Sequence, residues 1–491
     1  MMAPMLVWGV IGVFALIGVT IALRAARMNQ GTVGDYYLGG RAVGGVVAGL
    51  SYAATTYSAF MLIVLTGLTY RGGIGALGFE LIYFAGLSLL VIFAPRFWLV
   101  AKRWGFVSPA EMVGARYGSR AVARVMAAVS LLFLLPYCTT QMAGIGLLLS
   151  GVTGGEISLF QAILVGAGLA LFWAVVAGLR SVAWTDAALS VVMVASGVLA
   201  VSFAVAALGG WGQFMATATL EQGEWLDVPG PGLWSFGTFI ALAFPWFFFA
   251  LSNPQVSQRL FILRDFAAMR RMILWVLGFG LLFTLIAVIW GFAALQLAPG
   301  LENTSMATPA LLTSGVIPVW VGLLLILGIL SAAISTLDSI ALTVGAMVAR
   351  DFVRDEREAS DARQILAGRL VMVLVVLFAS YFALQQAAIV QQLAALSAAG
   401  LLVCVPAIVA AFFWRGGTAA GALASMLGGG GLAIWLAMVE GVSVFNPLLP
   451  FSVAGASVSL FVAVSLLSRP RESALDFKGE IAEALARHRA F

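Results

Sequence analysis

Apolar residues form blocks of about 20 along nearly the whole chain, with short polar stretches between them. A helix rises 1.5 Å per residue, so each block is long enough to cross a hydrocarbon layer of about 30 Å. We place thirteen spans near residues 5–23, 42–68, 75–101, 120–150, 156–178, 182–208, 233–253, 270–298, 310–350, 365–387, 390–413, 419–440 and 447–468. This pattern predicts an all-α polytopic membrane protein.

Two of these spans carry helix-breaking features near their centres. The second contains Ala53–Ser58, a run of small and hydroxyl residues with poor helix propensity, and the seventh contains Pro245. The two spans lie five apart, so each would open a five-helix half. Broken helices at matching places in two halves are typical of a transporter site. A simple proline kink is the alternative interpretation of Pro245.

The ninth span carries a polar stripe through its centre. Ala332, Ser335, Thr336 and Ser339 have the spacing that places side chains on one helix face. Such a stripe either lines a solute or ion path, or allows close packing with hydroxyls bonded to their own backbone. Asp338 favours the path, because a carboxylate inside a membrane needs a partner.

The composition excludes a soluble protein, since 62% of residues are hydrophobic, 10% are charged and the mean hydropathy is +1.06. With the N-terminus outside, all 26 Lys and Arg residues except Arg71 face the cytoplasm. We therefore predict a multi-pass protein of a prokaryotic inner membrane with its N-terminus outside and its C-terminus cytoplasmic. This topology explains the net charge of +5 without nucleic acid.

Few residues are available for other chemistry. Cys138 and Cys404 both lie in apolar runs, so a disulfide framework is not expected. His488 is the only histidine and lies in the tail, which excludes a histidine metal site or proton relay within the spans.

Six motifs resemble those of the sodium:solute symporter family, which includes proline, pantothenate, sugar and sialic acid symporters. They are Asp35–Arg41; Ser108–Glu111 with Arg116 and Tyr117; Gly178–Asp186; Pro254 with Gln258 and Arg259; Ala332–Thr336; and Phe413–Arg415 with Thr418 and Gly421. Gln255 departs from the pattern, because the family often has His there. The motifs span roughly residues 35–421 in the family's order, so their joint specificity is high.

The resemblance implies a LeuT-type fold with an inverted five-helix repeat and alternating access driven by a sodium gradient. Spans 2–11 would form the core, with one helix before it and two after. We accordingly divide the chain into an extra helix with the first cytoplasmic loop (1–41), the first repeat to about residue 208 with span 7 (42–253), the remainder of the second repeat (254–415), and two C-terminal helices with the tail (416–491).

The resemblance also implies a sodium site between spans 2 and 9. The ligands would be the backbone carbonyls of Ala54, Tyr57 and Ala332 and the hydroxyls of Ser335 and Thr336. A small hard cation prefers such oxygen ligands.

For the solute, Glu80 matches a family position that contacts it, and Tyr137, Gln141 and Trp246 are the other residues that we expect at the cavity. The alternatives are that Tyr137 and Trp246 only pack and that Glu80 reaches interfacial water. We expect no Arg or Lys at mid-membrane, so a carboxylate solute would need a half-helix N-terminus or sodium itself as its partner.

Asp186, Asp338 and Ser339 are candidates for a second cation. Some relatives bind an additional sodium at the matching positions but use hydroxyls in span 9, so Asp338 is a departure. Two converging carboxylates would repel, and a sodium ion or a shared proton would neutralise them. The alternatives are that Asp186 pairs with Arg180 as an interfacial cap and that Asp338 faces away.

These observations favour a sodium-coupled symporter of a small organic solute such as a monocarboxylate or an amino acid. The alternatives are a proton-coupled symporter or a membrane solute sensor of the same fold. A channel would need a continuous polar pore, and an enzyme would need a nucleophile–base or metal-ligand set, which the spans lack. We expect sodium but no organic cofactor, the lipid bilayer and the solute as partners, no nucleic acid, and a functional monomer.

Overall fold

The computed structural model describes residues 1–231, 233–353, 360–386 and 390–488, and the fold is helical throughout these ranges. Its helices are α1 (Pro4–Ala26), α2 (Val33–Leu38), α3 (Gly45–Thr56), α4 (Thr66–Gly72), α5 (Gly75–Gly86), α6 (Leu89–Trp104), α7 (Pro109–Arg116), α8 (Arg120–Val152), α9 (Leu159–Ala177), α10 (Leu179–Ala207), α11 (Trp211–Leu220), α12 (Phe236–Phe247), α13 (Phe249–Ser252), α14 (Pro254–Gln258), α15 (Phe266–Leu297), α16 (Ala307–Thr313), α17 (Val319–Val348), α18 (Asp361–Gln386), α19 (Val390–Leu401), α20 (Val405–Phe413), α21 (Ala419–Ile434), α22 (Leu448–Leu466) and α23 (Phe477–Arg487).

The prediction of an all-α membrane protein is confirmed. Within the described residues, 11 helices are long and apolar enough to cross a membrane, and the bent pair formed by Gly45–Thr56 and Phe60–Gly72 raises this number to 12. The shorter apolar helix α12 occupies the place of the predicted seventh span. The total of thirteen spans stays a prediction, and the final residue of the predicted span 365–387 lies outside the described ranges.

The second span is broken close to where its sequence predicts. Helix α3 ends at Thr56, and Tyr57 leaves the helical region with φ −95° and ψ 82°. A π-helix over Phe60–Leu65 then resumes the span at an angle of 45°. The break removes the next helical turn, so carbonyls at the end of α3 lose their intrahelical partners.

The seventh span is broken later than Pro245 alone would place it. Helix α12 runs through Pro245 to Phe247, the chain turns at Phe248, and α13 begins at Phe249. A second break follows at Asn253, which is extended with φ −94° and ψ 109° and precedes Pro254. The residue before a proline avoids the helical region, which explains this second break. The interpretation of a single kink at Pro245 is therefore wrong.

Helix α17 lies at the centre of the bundle. It packs against α3, α8, α10 and α18, and its residues from Gly328 to Met347 are buried without interruption. Helix α3 in turn packs against α10 and α15. Large apolar side chains such as Leu16, Phe160 and Leu370 are instead exposed on the outside of the bundle, as expected for a surface that faces lipid. The polar stripe of the ninth span therefore lies in the most enclosed part of the molecule.

Ion pairs and caps order the end of the bundle that carries most of the Arg and Lys residues. Arg350 at the end of α17 pairs with Glu111 of α7 at 2.6 Å, and Arg180 pairs with Asp35 at 2.7 Å. Asp265 caps α15 by accepting the backbone N–H of Ala268, and this hydrogen bond lowers the pKa of its carboxyl.

The amphipathic helix α23 lies across this same end. Phe477 at its start is fully buried against the rings of Trp104, Phe106 and Phe412. The cap residue Asp476 pairs with Arg415 at 2.8 Å. Helix α23 thus connects the end of α6, from the first half of the core, with the end of α20, from the second half.

Candidate functional site

The broken end of α3 meets the polar stripe of α17. The Ser335 hydroxyl donates to the Ala54 carbonyl at 2.9 Å, and the Thr336 hydroxyl donates to the Thr55 carbonyl at 3.3 Å. Both hydroxyls also lie 3.1 Å from the Ala332 carbonyl, one turn earlier in α17. The structure thus brings the predicted residues Ala54, Ala332, Ser335 and Thr336 together.

This oxygen cluster is buried and carries no formal charge. Ser335 and Thr336 are completely buried, and Tyr57, the fifth predicted residue, ends α3 as its C-cap. Its backbone leaves the helix there, while its N–H still bonds to the Ala53 carbonyl at 2.7 Å. Carbonyl and hydroxyl oxygens are suitable ligands for a small hard cation. Binding one would turn the hydroxyl protons away from the Ala54 and Thr55 carbonyls.

A second polar cluster lies next to the first and contains two carboxylates and one guanidinium. Asp186 of α10 accepts a hydrogen bond from Ser51 of α3 at 2.7 Å and pairs with Arg259 at 3.4 Å. Arg259 also donates to the Ser339 hydroxyl, and Asp338 lies within electrostatic range of both Arg259 and Asp186. All five side chains are completely buried.

This second cluster has spare hydrogen-bonding capacity, and with both carboxyl groups ionised it carries one excess negative charge. Asp186 Oδ1, Asp338 Oδ2 and Arg259 Nε and Nη1 have no hydrogen-bond partner. Two ionised carboxylates against one guanidinium leave a net charge of −1. The suggested pairing of Asp186 with Arg180 is wrong, because Arg180 pairs with Asp35. The alternative that Asp338 faces away is wrong as well, since its Oδ1 accepts a hydrogen bond from Ser339 at 3.4 Å, and Ser339 also contacts Arg259.

Three members of these clusters were not predicted from the sequence: Arg259, Ser51 and Thr55. The charge of Arg259 predicts a position in a cytoplasmic loop, but its guanidinium turns inward and is completely buried. Ser51 and Thr55 lie four residues apart on one face of α3, and Thr55 contacts Ser339 at 2.9 Å. This spacing of hydroxyl residues is the feature of the sequence from which Ser51 and Thr55 could have been predicted.

An aromatic cluster surrounds Trp246 at the break of the seventh span. Its ring centroid lies 4.9 Å from Phe60, 5.3 Å from Tyr83 and 6.2 Å from Tyr137, and it stacks on Phe249 at 5.2 Å. These five rings come from five separate helical segments, and they are all buried. We refer to Phe60, Phe79, Tyr83, Tyr137, Trp246 and Phe249 as the aromatic cluster.

Glu80 and Gln141 are the polar members of this region. Both are completely buried, and neither side chain has a hydrogen-bond partner. Glu80 lies within electrostatic range of the phenols of Tyr57, Tyr83 and Tyr137. Gln141 lies one turn from Tyr137 on the same face of α8. The alternative that Glu80 reaches interfacial water is wrong, because no part of it is exposed.

Tyr57 and Ser58 connect the aromatic cluster with the oxygen cluster. The Tyr57 ring lies 5.7 Å from that of Tyr83, and Ser58 hydrogen-bonds to the Tyr137 hydroxyl at 3.2 Å. Within the described residues, no group of three or more His, Cys, Asp or Glu side chains could hold a metal ion.

Comparison with known proteins identifies the family to which the sequence is similar. The sequence model described as "Sodium:solute symporter family" matches residues 36–429. An uncharacterized symporter of Bacillus subtilis, YhjB, is 22% identical over 77% of this chain and 77% of its own length. A sodium/proline symporter of Staphylococcus aureus strain Newman is 25% identical over 75% of this chain and 73% of its own length.

Among solved structures, a sodium-coupled sialic acid symporter in a substrate-bound outward-open state has a similar fold. Its TM-score is 0.76 at 19% identity, covering 95% of this chain and 98% of the other. The predicted LeuT-type fold is therefore confirmed.

Proposed function

We propose where the ions and the solute bind in this chain, which belongs to the sodium:solute symporter family and carries out sodium-coupled symport of a small solute. It is a transporter and not an enzyme. The coupling sodium binds at the oxygen cluster between α3 and α17, and the solute binds beside Trp246. The break of α3 is the observation that supports this assignment most, because it adjoins both places.

The sodium proposal rests on the hydrogen bonds between the two helices. The carbonyls of Ala54 and Thr55 stand at the broken end of α3, where Ser335 and Thr336 reach them from α17. Sodium would join the same oxygens, together with the Tyr57 and Ala332 carbonyls. Occupation would hold α3 to α17, which is the type of link that an ion can release during alternating access.

Removal of one hydroxyl tests this site. In Ser335→Ala and Thr336→Ala, we expect the apparent sodium affinity of solute uptake to fall about 5- to 30-fold, as expected for about 1–2 kcal/mol lost with a buried polar contact. The measurement is uptake into proteoliposomes against external sodium at fixed solute.

Ser331→Ala is the matched control on the same helix. Ser331 is also completely buried, but its hydroxyl donates only to the Leu327 carbonyl of its own helix. It should retain the sodium dependence of the unmodified protein. Unchanged sodium dependence in both site variants would place the ion elsewhere. Sodium-independent uptake of protons with solute would favour the proton-coupled alternative, and binding without net uptake would favour a sensor.

The composition of the second polar cluster supports binding of a further cation there. Asp186, Asp338 and Ser339 surround the Arg259 guanidinium, which neutralises only one of the two carboxylates. One additional monovalent cation, either sodium or a proton, would balance the cluster. The free oxygens Asp186 Oδ1 and Asp338 Oδ2 would receive it.

The remaining parts of the proposal concern the whole protein. The comparisons and the apolar helices establish a multi-pass protein of a prokaryotic cell membrane. We propose that the N-terminus is outside, because nearly all Arg and Lys residues then face the cytoplasm. Both candidate sites are built from one chain, so a monomer is sufficient for transport.

A further inference from the structure

Glu80 is a carboxyl group without a partner in the interior of the protein. It is completely buried, and neither of its oxygens accepts a hydrogen bond. Within the described residues no positive side chain acts on it; the ionisable groups near it are phenols. An ionised carboxylate in such a place costs several kcal/mol unless a cation joins it. A cation that binds beside Glu80 would be the partner of its charged form.

The surroundings of Glu80 specify what kind of cation this could be. Arg259, the completely buried cation of the second polar cluster, pairs with Asp186 and Ser339. Tyr83 lies one turn from Glu80 on α5, and its ring is 5.3 Å from that of Trp246 and nearly perpendicular to it at 78°. Aromatic faces attract alkylated ammonium groups, which also pack their carbon atoms against the rings. The site therefore favours an organic cation.

Gln141 adds a second, neutral polar contact. Its amide oxygen and nitrogen both lack partners and are buried one turn from Tyr137. An amide can donate to a carboxylate or carbonyl and accept from a hydroxyl. A solute with an ammonium group at Glu80 could place its other polar end at Gln141 while its carbon skeleton packs on Trp246.

We propose that the solute carries an ammonium group, as an amino acid, an amine or a quaternary ammonium compound does, and that Glu80 is the residue that recognises it. This assignment rests on the proposed solute site beside Trp246. A monocarboxylate without an amine would be repelled by ionised Glu80, and a neutral sugar would leave its charge uncompensated. Of the two solute classes expected from the sequence, the structure favours the amino-acid-like one.

Matched pairs of solutes test this proposal on the unmodified protein. In each pair, one member bears an ammonium group and the other replaces it by a neutral group of similar size. The pairs are L-alanine with L-lactate, and choline with 3,3-dimethylbutan-1-ol; L-proline, glycine betaine and D-glucose complete the panel. Purified protein is reconstituted into proteoliposomes, and uptake of each labelled solute is measured with and without an inward sodium gradient.

We expect sodium-driven uptake of at least one ammonium solute, and at least tenfold slower uptake of its neutral counterpart. Glu80→Gln retains the shape of the side chain and removes its charge, so it should weaken binding of that solute at least tenfold. Sodium binding of this variant, measured directly with ²²Na⁺, should be retained. Glu440→Gln, an exposed residue outside the site, is the matched control and should behave like the unmodified protein.

The outcomes separate this proposal from the proposed function. Equal uptake of the neutral members, or uptake of lactate or glucose alone, would overturn the ammonium assignment and leave sodium symport intact. Failure of every ammonium solute to bind or cross would overturn it too, while ²²Na⁺ binding that is sensitive to Ser335→Ala would still support the sodium site. Uptake of an ammonium solute at a rate that does not depend on sodium would support recognition of the ammonium group by Glu80. The same result would count against the proposed sodium site as the coupling site. The unmodified protein decides the first question even if Glu80→Gln does not fold.

Discussion

At the scale of single residues, Arg259 changes how the proposed ion sites are understood. A guanidinium in the bundle interior is a cation that the protein supplies itself and that never leaves. It contacts Asp186 and Ser339, and Asp338 lies close enough to feel its charge. With both carboxylates ionised, the cluster therefore needs one external positive charge instead of two. Asp338 then determines whether a travelling cation is needed there at all.

The number of coupling cations tests this arrangement. We expect the reversal potential in proteoliposomes to give two sodium ions per solute, falling to one in Asp338→Asn, because that variant leaves Arg259 matched by Asp186 alone. If a proton takes the place of the second sodium, the reversal potential should instead follow internal pH, and Asp338→Asn should abolish that dependence. Asp227→Asn, in an exposed loop, should change neither quantity. A ratio of one sodium in the unmodified protein, insensitive to pH, would make Asp338 structural.

The sequence predicted the hydroxyl and carboxylate members of these sites but not their partners. Ser335 and Thr336 were predictable because helical spacing places them on one face of a buried helix. Arg259 was not, since a charged residue beside a loop normally faces water, and only its contacts with α10 and α17 show that it turns inward. Tyr83 was missed because one aromatic residue in an apolar span carries no signal of its own.

At the scale of helices, close packing of α15 against α3 holds the break at Tyr57 in place. The Tyr57 ring lies over Gly280 of α15, and a Cβ built on Gly280 would stand 2.2 Å from the Tyr57 hydroxyl oxygen and 2.6 Å from its Cζ. Such distances are far below van der Waals contact, so only glycine lets the ring occupy this position. Because the Tyr57 carbonyl is a proposed sodium ligand, this packing contact bears on ion binding.

Gly280→Ala should therefore weaken sodium binding from a position outside the site. Overpacking of a buried contact typically costs about 1–3 kcal/mol, and the Tyr57 backbone is the part that is least held by helical hydrogen bonds. We expect the apparent sodium affinity to fall about fivefold or more, measured by ²²Na⁺ binding to purified protein. Gly278→Ala is the control on the same helix, because its Cβ would meet nothing within 4 Å. Equal effects of both variants would show that only helix propensity had changed.

The positions of the helices were predictable because hydrophobic length dominates in a membrane. The breaks in the second and seventh spans were only partly predictable. The second span breaks at Tyr57, within the run of small and hydroxyl residues that indicated it. In the seventh span, helix α12 continues past Pro245, because the proline removes one hydrogen-bond donor, its own N–H. The chain turns at Phe248, and again at Asn253 before Pro254, where the backbone dihedral angles leave the helical region.

At the scale of the whole molecule, the uneven distribution of Arg and Lys predicts the orientation. Cys138 and Cys404 are both fully buried and free, so the unmodified protein offers little background for thiol labelling. Glu221→Cys and Glu472→Cys place a thiol at exposed positions on the two predicted sides. A membrane-impermeant maleimide should label Glu221→Cys in intact cells and Glu472→Cys only after permeabilisation. The reverse pattern would invert the topology.

The position of α23 has a consequence for how the protein is made. Arg103 at the end of α6 contacts Glu480 of α23, although 377 residues separate them in the chain. At about 5–20 residues per second, a ribosome needs roughly 20 to 75 s to make that intervening stretch. Trp104 and Phe106 lack the Phe477 ring, which packs against both, for all of that time. The aqueous end of the bundle is therefore completed only when synthesis has passed α23, and chains that terminate before it would present these rings to chaperones and proteases.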